Sequence, residues 1–501
     1  MNPIRMNHRM LRGAWICFML MHGLLLSAQN EEDALRYSWL LPGGTARSWG
    51  LGSAMGAVGA DPGSASLNPA GFALYNTSEI SLTPGIEVNN ADALHYGTSA
   101  TGTNTRGMVN NFAAVLCYPG KTNSTWKSTV FGISYDREAT YHWNRPAVGD
   151  RVNSTILQNF VNEANETDPA DLYDSYSFTS GIAWDAYAID PLDTVANTYS
   201  SQIPFGSEVR QSNTINSGGR LQTTSLFLAT NWMDRLYMGL SLGIVGVKYN
   251  RTTTHTETTL DESLDLKELT YTDNLITTGG GVDLKVGILG RVTDRLRMGI
   301  SYHSPKWLQL DDTYYTRMST TFRTPDSQGN VSYTGESPDG IFAYRVNTPW
   351  NVLASAAYVA GKNGLVSVDY GITDYRRMKL GGDNSIPDSY DFAYENGVIT
   401  ERFTRTQSLR VGTEWRSGNW YFRGGWGWWQ DPYAETDARH GSGYKRYSLG
   451  TGYRTDHLSL DLALTYGQRT TSYFQYDPAL VNATQETLKD YRSLVTIAYR
   501  P

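Results

Sequence analysis

The chain has 501 residues, a formal net charge of -7, and an unusual share of Tyr (33), Trp (14) and Gly (49). Its mean hydropathy is -0.41 and no apolar run past the amino terminus reaches the roughly 20 residues that a membrane helix needs, so a helical transporter is excluded. The acidic balance argues against nucleic acid as a partner and leaves lipid and small ligands open. Abundant aromatics and glycines suit the girdles and close strand packing of a membrane β-barrel.

Residues 1–28 read as a targeting signal. Arg5, His8, Arg9 and Arg12 form a basic region, Ala14 to Leu26 an apolar one, and Leu26-Ser27-Ala28 offers a small residue for cleavage. Removing this segment also removes Cys17, which leaves Cys117 without a partner for an internal disulfide. A disulfide-free exported chain with no membrane helix points to a bacterial envelope. The stretch EEDALRYS, ending at Ser38, is acidic at its start and predicts a turn of helix, followed by Trp39-Leu40-Leu41-Pro42.

From Gly43 to Tyr75 the chain is mostly Gly, Ala and Ser, able to coil through a narrow space, with neither strand alternation nor a helical stripe. Asp61 is placed to cap a turn whose first residue is Pro62, and Asn68-Pro69-Ala70 is expected to end that turn. Gly50, Gly52 and Gly56 give G-x-G-x-x-x-G, which misses the dinucleotide spacing, and no Gly-Lys-Ser/Thr follows to make a phosphate loop. On composition alone a Gly-rich linker is the alternative.

The motifs Thr45-Ala46-Arg47-Ser48-Trp49-Gly50, Ala54-Met55-Gly56-Ala57, Asp61 and Asn68-Pro69-Ala70-Gly71 give more. This stretch resembles the amino-terminal hatch of the FadL/TodX family of outer-membrane transporters for hydrophobic compounds. The resemblance implies that residues 29–77 plug a barrel formed by residues 78–501. It makes Arg47, Gly50, Gly52, Gly56, Asp61, Asn68, Pro69, Ala70 and Gly71 candidate hatch and gating residues. Arg47 could meet a ligand carboxylate or anchor the plug to an acidic lumen wall. In that family the ligand leaves sideways through a gap made by a kinked strand, and no kink is legible in the sequence.

After Tyr75 the strands begin, with Glu79 to Thr83, Met108 to Tyr118 and Ser128 to Trp143. Asn144 to Glu208 reads as a long polar insertion carrying a short amphipathic helix, with Ile156, Leu157, Phe160 and Val161 packing it onto the barrel rim. Hairpins follow, turning at Met233-Asp234-Arg235, Thr293-Asp294-Arg295, Gly361 to Gly364, Ser417 to Asn419 and Thr455-Asp456. On the strand after the first of these, Leu236, Met238, Leu240, Leu242 and Ile244 alternate with Tyr237, Gly239, Ser241 and Gly243, an apolar outside and a small, polar inside. Long polar connections are expected at 250–270, 303–344, 375–401, 430–445 and 469–489, and the count comes to about fourteen strands. The chain ends Tyr499-Arg500-Pro501 and not on the terminal aromatic that assembly machinery reads in many such barrels.

No catalytic constellation emerges: there is no Gly-x-Ser-x-Gly elbow and no His-Glu-x-x-His helix. No metal or cofactor is expected. His95, His142, His303, His440 and His457 are scattered, and His255 with Glu257 reads as part of a solvated Thr-rich loop. Trp426-Gly427-Trp428-Trp429 reads as an interface girdle, with an aromatic-ligand platform as the sharper alternative. The expectation is an all-β, monomeric barrel in the bacterial outer membrane, passively admitting long-chain fatty acids or aromatic hydrocarbons. Its partners would be a hydrophobic ligand, outer-membrane lipid and lipopolysaccharide, and the barrel-assembly machinery during biogenesis. The alternative is a structural, adhesive or haem-binding barrel without transport.

Overall fold

The structure is a computed structural model that describes residues 31–193, 196–383 and 389–501. The expected signal, residues 1–28, lies outside the described residues. Among the described residues, fourteen antiparallel strands close into one barrel. In order they are β1 (Glu79–His95), β2 (Thr98–Pro119), β3 (Trp126–Thr140, continued by Trp143–Val152), β4 (Val209–Trp232), β5 (Leu236–Thr259), β6 (Leu266–Arg291) and β7 (Leu296–His303, continued by Trp307–Phe322). The second half comprises β8 (Gly340–Asn347 and Asn351–Ala360), β9 (Gly364–Asp374 and Lys379–Gly382), β10 (Arg405–Ser417), β11 (Trp420–Trp429), β12 (Tyr444–Arg454), β13 (Leu458–Tyr473) and β14 (Thr484–Tyr499). Neighbours in sequence pair with one another, and β14 returns to β1 from Ile80↔Tyr499 to Leu94↔Gln485, which leaves no free edge at the seam.

The side-chain alternation explains why these residues form a membrane wall. On β5, Leu240, Leu242 and Ile244 are exposed while Tyr237 and Ser241 are buried; on β13, Leu458, Leu460 and Leu464 are exposed while Asp461 and Ala463 are buried. Charges such as Arg423, Glu414, Asp461 and Arg446 point inward and apolar side chains point outward, because hydrocarbon cannot satisfy polar groups. The short turns lie at one end. Met233 and Asp234 both take positive φ and Arg235 N closes on Trp232 O at 3.1 Å, a tight turn inside the three-residue connection between paired Trp232 and Leu236.

At the opposite end the strands continue beyond their sequence signature, which corrects the expected loops. Residues 250–259 and 266–276 are not a loop: Asn250↔Ile276 through Thr258↔Glu268 stay in register. Similarly Trp307–Phe322 is strand, and the polar insertion starts after Val152 and not at Asn144. Beyond the bilayer both faces of a ribbon are wetted, so the apolar alternation disappears while the backbone ladder persists. The helix Ile156–Ala164 is present there, burying Ile156, Leu157, Phe160 and Val161 with Leu172, Ile182, Leu266 and Met318 in a cap over the loop end.

His255 and Glu257 belong to this end and correct the solvated-loop reading, since both are buried. Glu257 accepts from Ile156 N at 2.8 Å and from the Thr155 hydroxyl, and His255 Nε2 lies 3.0 Å from the same carboxylate. The pair therefore anchors the start of the rim helix. Among the described residues no group of three His, Cys, Asp or Glu side chains is placed to hold a metal ion.

Candidate functional site: a filled lumen and an open wall seam

Residues 31–75 fill the barrel from the loop end to the turn end. The helix Glu31–Ser38 occupies the upper lumen, with Ala34, Leu35 and Tyr37 among Tyr141, Leu221, Val247, Tyr249 and Tyr344. Arg36 lies 4.4 Å from the Tyr249 ring, and Trp39 sits under Arg469 at 4.6 Å.

Below it, residues 43–75 are buried against the wall on many sides. Thr45 caps the short helix Ala46–Gly50. Arg47 donates from Nε and Nη2 to the two Glu414 oxygens of β10, at 3.0 Å each, and from Nη1 to Ala60 O at 3.1 Å. Burial works against that charge, the Glu414 carboxylate outweighs it, and the Arg47 pKa is raised. Glu414 is shared with Arg423, which also bonds Asp461 at 2.7 Å, so the segment is tied into a buried lattice of wall charges.

The remaining residues singled out in the sequence make contacts within this segment and with the wall. Gly50 backs onto Gly450, where an added Cβ would come within 3.3 Å of the facing Cα. Gly52 has φ +65 and meets the backbone of Gly425 and Trp426 so closely that any side chain would collide. Gly56 N donates to Asp369 Oδ2 of β9 at 3.0 Å. Asp61 accepts from the Thr45 hydroxyl at 2.8 Å and from Gly63 N at 2.8 Å, capping the 3-10 turn Pro62–Ala65 as expected. Burial pushes the Asp61 carboxyl up, while Arg47 and these hydrogen bonds pull it back.

Asn68 departs from its expected role. It does not merely end a turn: with Pro69 at the first position it opens a second 3-10 turn, Pro69–Leu74, accepting from Ala70 N at 3.1 Å. Its Nδ2 donates to Gly56 O at 3.0 Å, linking the two halves of the segment. Ala60 N donates to Gly71 O at 2.9 Å and closes the same loop. Pro69 and Ala70 lie directly against Gly239 of β5, where a Cβ would sit 2.2 Å from Pro69 C.

A small cavity of about 130 Å³ remains between this segment and the wall, lined by Trp39, Leu40, Leu41, Leu67 and Leu353 on its apolar side. Its polar side carries Glu138, Lys285 and Lys306, with Lys306 2.9 Å and Lys285 3.2 Å from Glu138 and Lys306 also bonded to Asp283. The Trp-rich stretch divides at this level. Trp429 turns inward to Arg446 and Tyr444, correcting the girdle reading for that residue, while Trp426 and Trp428 share the outward face of exposed Phe422.

The wall itself is open at one place. β2 pairs with β1 along its length, from Glu79↔Val115 to His95↔Thr98, but with β3 only from Asn111↔Asp136 to Pro119↔Ser128. Above that level β3 has an irregularity between Arg137 and Ala139, breaks at Tyr141-His142 and bends into the lumen. Asn89 donates to His142 O at 2.7 Å, and Asn144 and Pro146 lie so close to Gly102 that a Cβ there would clash. Among the described residues, 98–110 of β2 have no strand ladder on that side, Thr98 donating only from its hydroxyl to Asp150 at 3.2 Å, and nothing lies within 4 Å of a Cβ placed on Gly107. The exposed outward side chains along this stretch are Ser99, Thr101, Thr103 and Thr105, with Val109 at its lower end, so water can satisfy the open backbone edge, as hydrocarbon could not.

Sequence reasoning did not find the slit. The available signal was Pro146, which belongs on a strand edge, shortly after the consecutive charges Arg137 and Glu138.

No protein-family model matches the chain, and no curated protein does. Among solved structures, it is similar to the Pseudomonas putida toluene transporter TodX, with 12% identity over 92% of this chain and 99% of that one and a TM-score of 0.51. It is likewise similar to a Pseudomonas aeruginosa FadL homologue, with 14% identity over 92% and 99% of the two chains and a TM-score of 0.52. At these identities the likeness establishes a common barrel fold.

Proposed function

We propose that the chain is an outer-membrane channel for passive uptake of hydrophobic compounds, such as long-chain fatty acids or aromatic hydrocarbons, with residues 43–75 as its hatch. The observation that carries this reading is the pairing of a plugged axis with an unzipped wall: β2 and β3 part above Asn111 and Asp136. A pore for polar solutes needs an open axis, and a purely structural barrel has no use for a broken seam. The fold shared with a toluene transporter and a FadL homologue supports it.

The mechanism follows from solvation. An apolar solute crosses a lipopolysaccharide surface poorly, and burying it in protein gains about 0.8 kcal/mol per methylene, which drives capture without an energy source. The cavity beside Trp39, Leu41 and Leu353 is the receiving pocket, and the β2/β3 slit is the way onward into the bilayer. Hatch movement joins the two, and the ion pair of Arg47 with Glu414 and the turn at Asn68-Pro69 hold the closed state.

The test is uptake of labelled oleate, toluene and haem by cells with and without the chain. Apolar uptake that depends on the gene and falls with Pro69→Ala supports the hatch. A Gly50→Cys/Gly450→Cys pair, whose backbones nearly touch, should lock the hatch, abolish uptake when oxidised and restore it on reduction. Unchanged uptake in the locked protein would leave a barrel of structural or adhesive role.

A further inference from the structure

Beneath the hatch, at the short-turn end, lies a cavity of about 380 Å³, within the size range of small-molecule sites. It is walled by the hairpins that turn at Asp234, Lys362 and Gly418 and roofed by Arg47, Val58 and Leu74. Three cations face it, Arg297 of β7, Lys362 of the turn after β8 and Arg416 of β10, and none of them forms an ion pair among the described residues. Arg297 donates to Val58 O at 3.2 Å, and Arg416 donates from Nε to Gly418 O at 2.8 Å, so each guanidinium has further N–H groups unused.

The carboxylates at the site offset these cations only in part. Glu414 is taken by Arg47 and Arg423, while Asp234, held by the neutral Asn231 Nδ2 at 2.7 Å, keeps its charge and balances one of the three. A net positive charge therefore faces a concave site whose mixed wall sets an apolar patch of Val58, Leu74, Val359 and Leu365 beside Asn76, Asn231 and Asn363. Concave walls focus such a field, and guanidinium groups match the two oxygens of a carboxylate.

We infer that this cavity is a binding site for a small amphiphilic carboxylate, its oxygens on Arg297, Lys362 and Arg416 and its alkyl part on Leu74, Val359 and Leu365. The site faces away from the loop end and is separate from the luminal cavity beside Trp39. It holds whether or not the hatch conducts.

Calorimetry on the detergent-solubilised full chain, with hexanoate, hexanol and inorganic phosphate as probes, tests it. Hexanoate is expected to bind saturably and to weaken as salt is raised, with hexanol and phosphate at least about tenfold weaker, one charge-assisted interaction or one buried tail being worth that much. Arg297→Gln should weaken hexanoate about tenfold, and Lys362→Ala, on an exposed turn that leaves folding intact, should weaken it measurably. Hexanoate should also protect the Lys362 amine from acylation in a peptide map. Equal binding of hexanol, or affinity untouched by both substitutions, would overturn the site. Phosphate binding as tightly as hexanoate would overturn its assignment to an amphiphile.

Discussion

The lower lumen, filled by residues 43–75, and the upper lumen, filled by helix Glu31–Ser38, are held by different forces. Below, backbone seats on backbone: Gly52 meets Gly425, Pro69 meets Gly239, and Arg47 enters a charge lattice whose members are all buried. Above, a helix face packs among tyrosines, and its charged first turn reaches rim arginines that stay partly in water. Arg402 bonds Glu31 with 42% of its side chain exposed, and Arg439 bonds Glu32, itself 44% exposed, at 2.7 Å. Close steric fit and buried charge respond little to salt, whereas rim pairs are screened. The lower filling of the lumen is thus set by shape and the upper one by adjustable electrostatics.

The largest effect should come from spoiling the fit below. Gly239→Leu places a side chain where Pro69 and Ala70 now lie, and the clash is with backbone that cannot rotate away. The barrel should still show heat-modifiable migration, but planar-bilayer recordings should find a persistently leaky channel. A closed trace like that of the natural chain would mean that residues 43–75 do not depend on this contact.

Next in size is Arg47→Ala. Leaving a buried carboxylate alone costs about 3–5 kcal/mol, but Glu414 retains Arg423 at 2.6 Å, so a loss of about 2 kcal/mol is expected. Brief openings should then become roughly 30-fold more frequent, without permanent leak. Arg47→Lys should recover only part of the closure, because an ammonium cannot bridge both Glu414 oxygens as the guanidinium does.

How much of this was legible in the sequence follows the same division. The membrane wall was readable because lipid on one side and charge on the other impose strict alternation, as in Leu236 to Ile244, and because Met233-Asp234-Arg235 marks a tight turn. The cap at Asp61 and the helix at Ile156 were local and equally readable. What depends on distant partners was not. Glu414 lies 367 residues from Arg47, and no pattern near either names the other. The Thr-rich ribbon around His255 has no apolar face, so its pairing and the burial of Glu257 left no periodic trace. The inward bend of β3 is set by contacts with β1 and by the pairing of Arg145 with Glu486 of β14, which only the closed barrel brings together.

The smallest effect belongs to the rim. Burial tends to raise the Glu32 carboxyl, but the Arg439 guanidinium outweighs it and the pKa falls below its ordinary value. A depressed carboxylate stabilises the docked helix fully above its free value, near 4.5, and the contribution is lost as pH falls through the docked one. Because nearly half of Glu32 remains in water, the pair is worth at most about 1 kcal/mol and is weakened by salt. Arg439→Ala should therefore speed hydrogen exchange in residues 31–38 several-fold at pH 7, and high salt or a pH taken well below 4.5 should do the same to the natural chain. The lower segment should be unmoved by salt, since the Arg47–Glu414 pair is buried. Equal acceleration in residues 43–75 would mean that the two segments loosen as one, with the rim pairs controlling both.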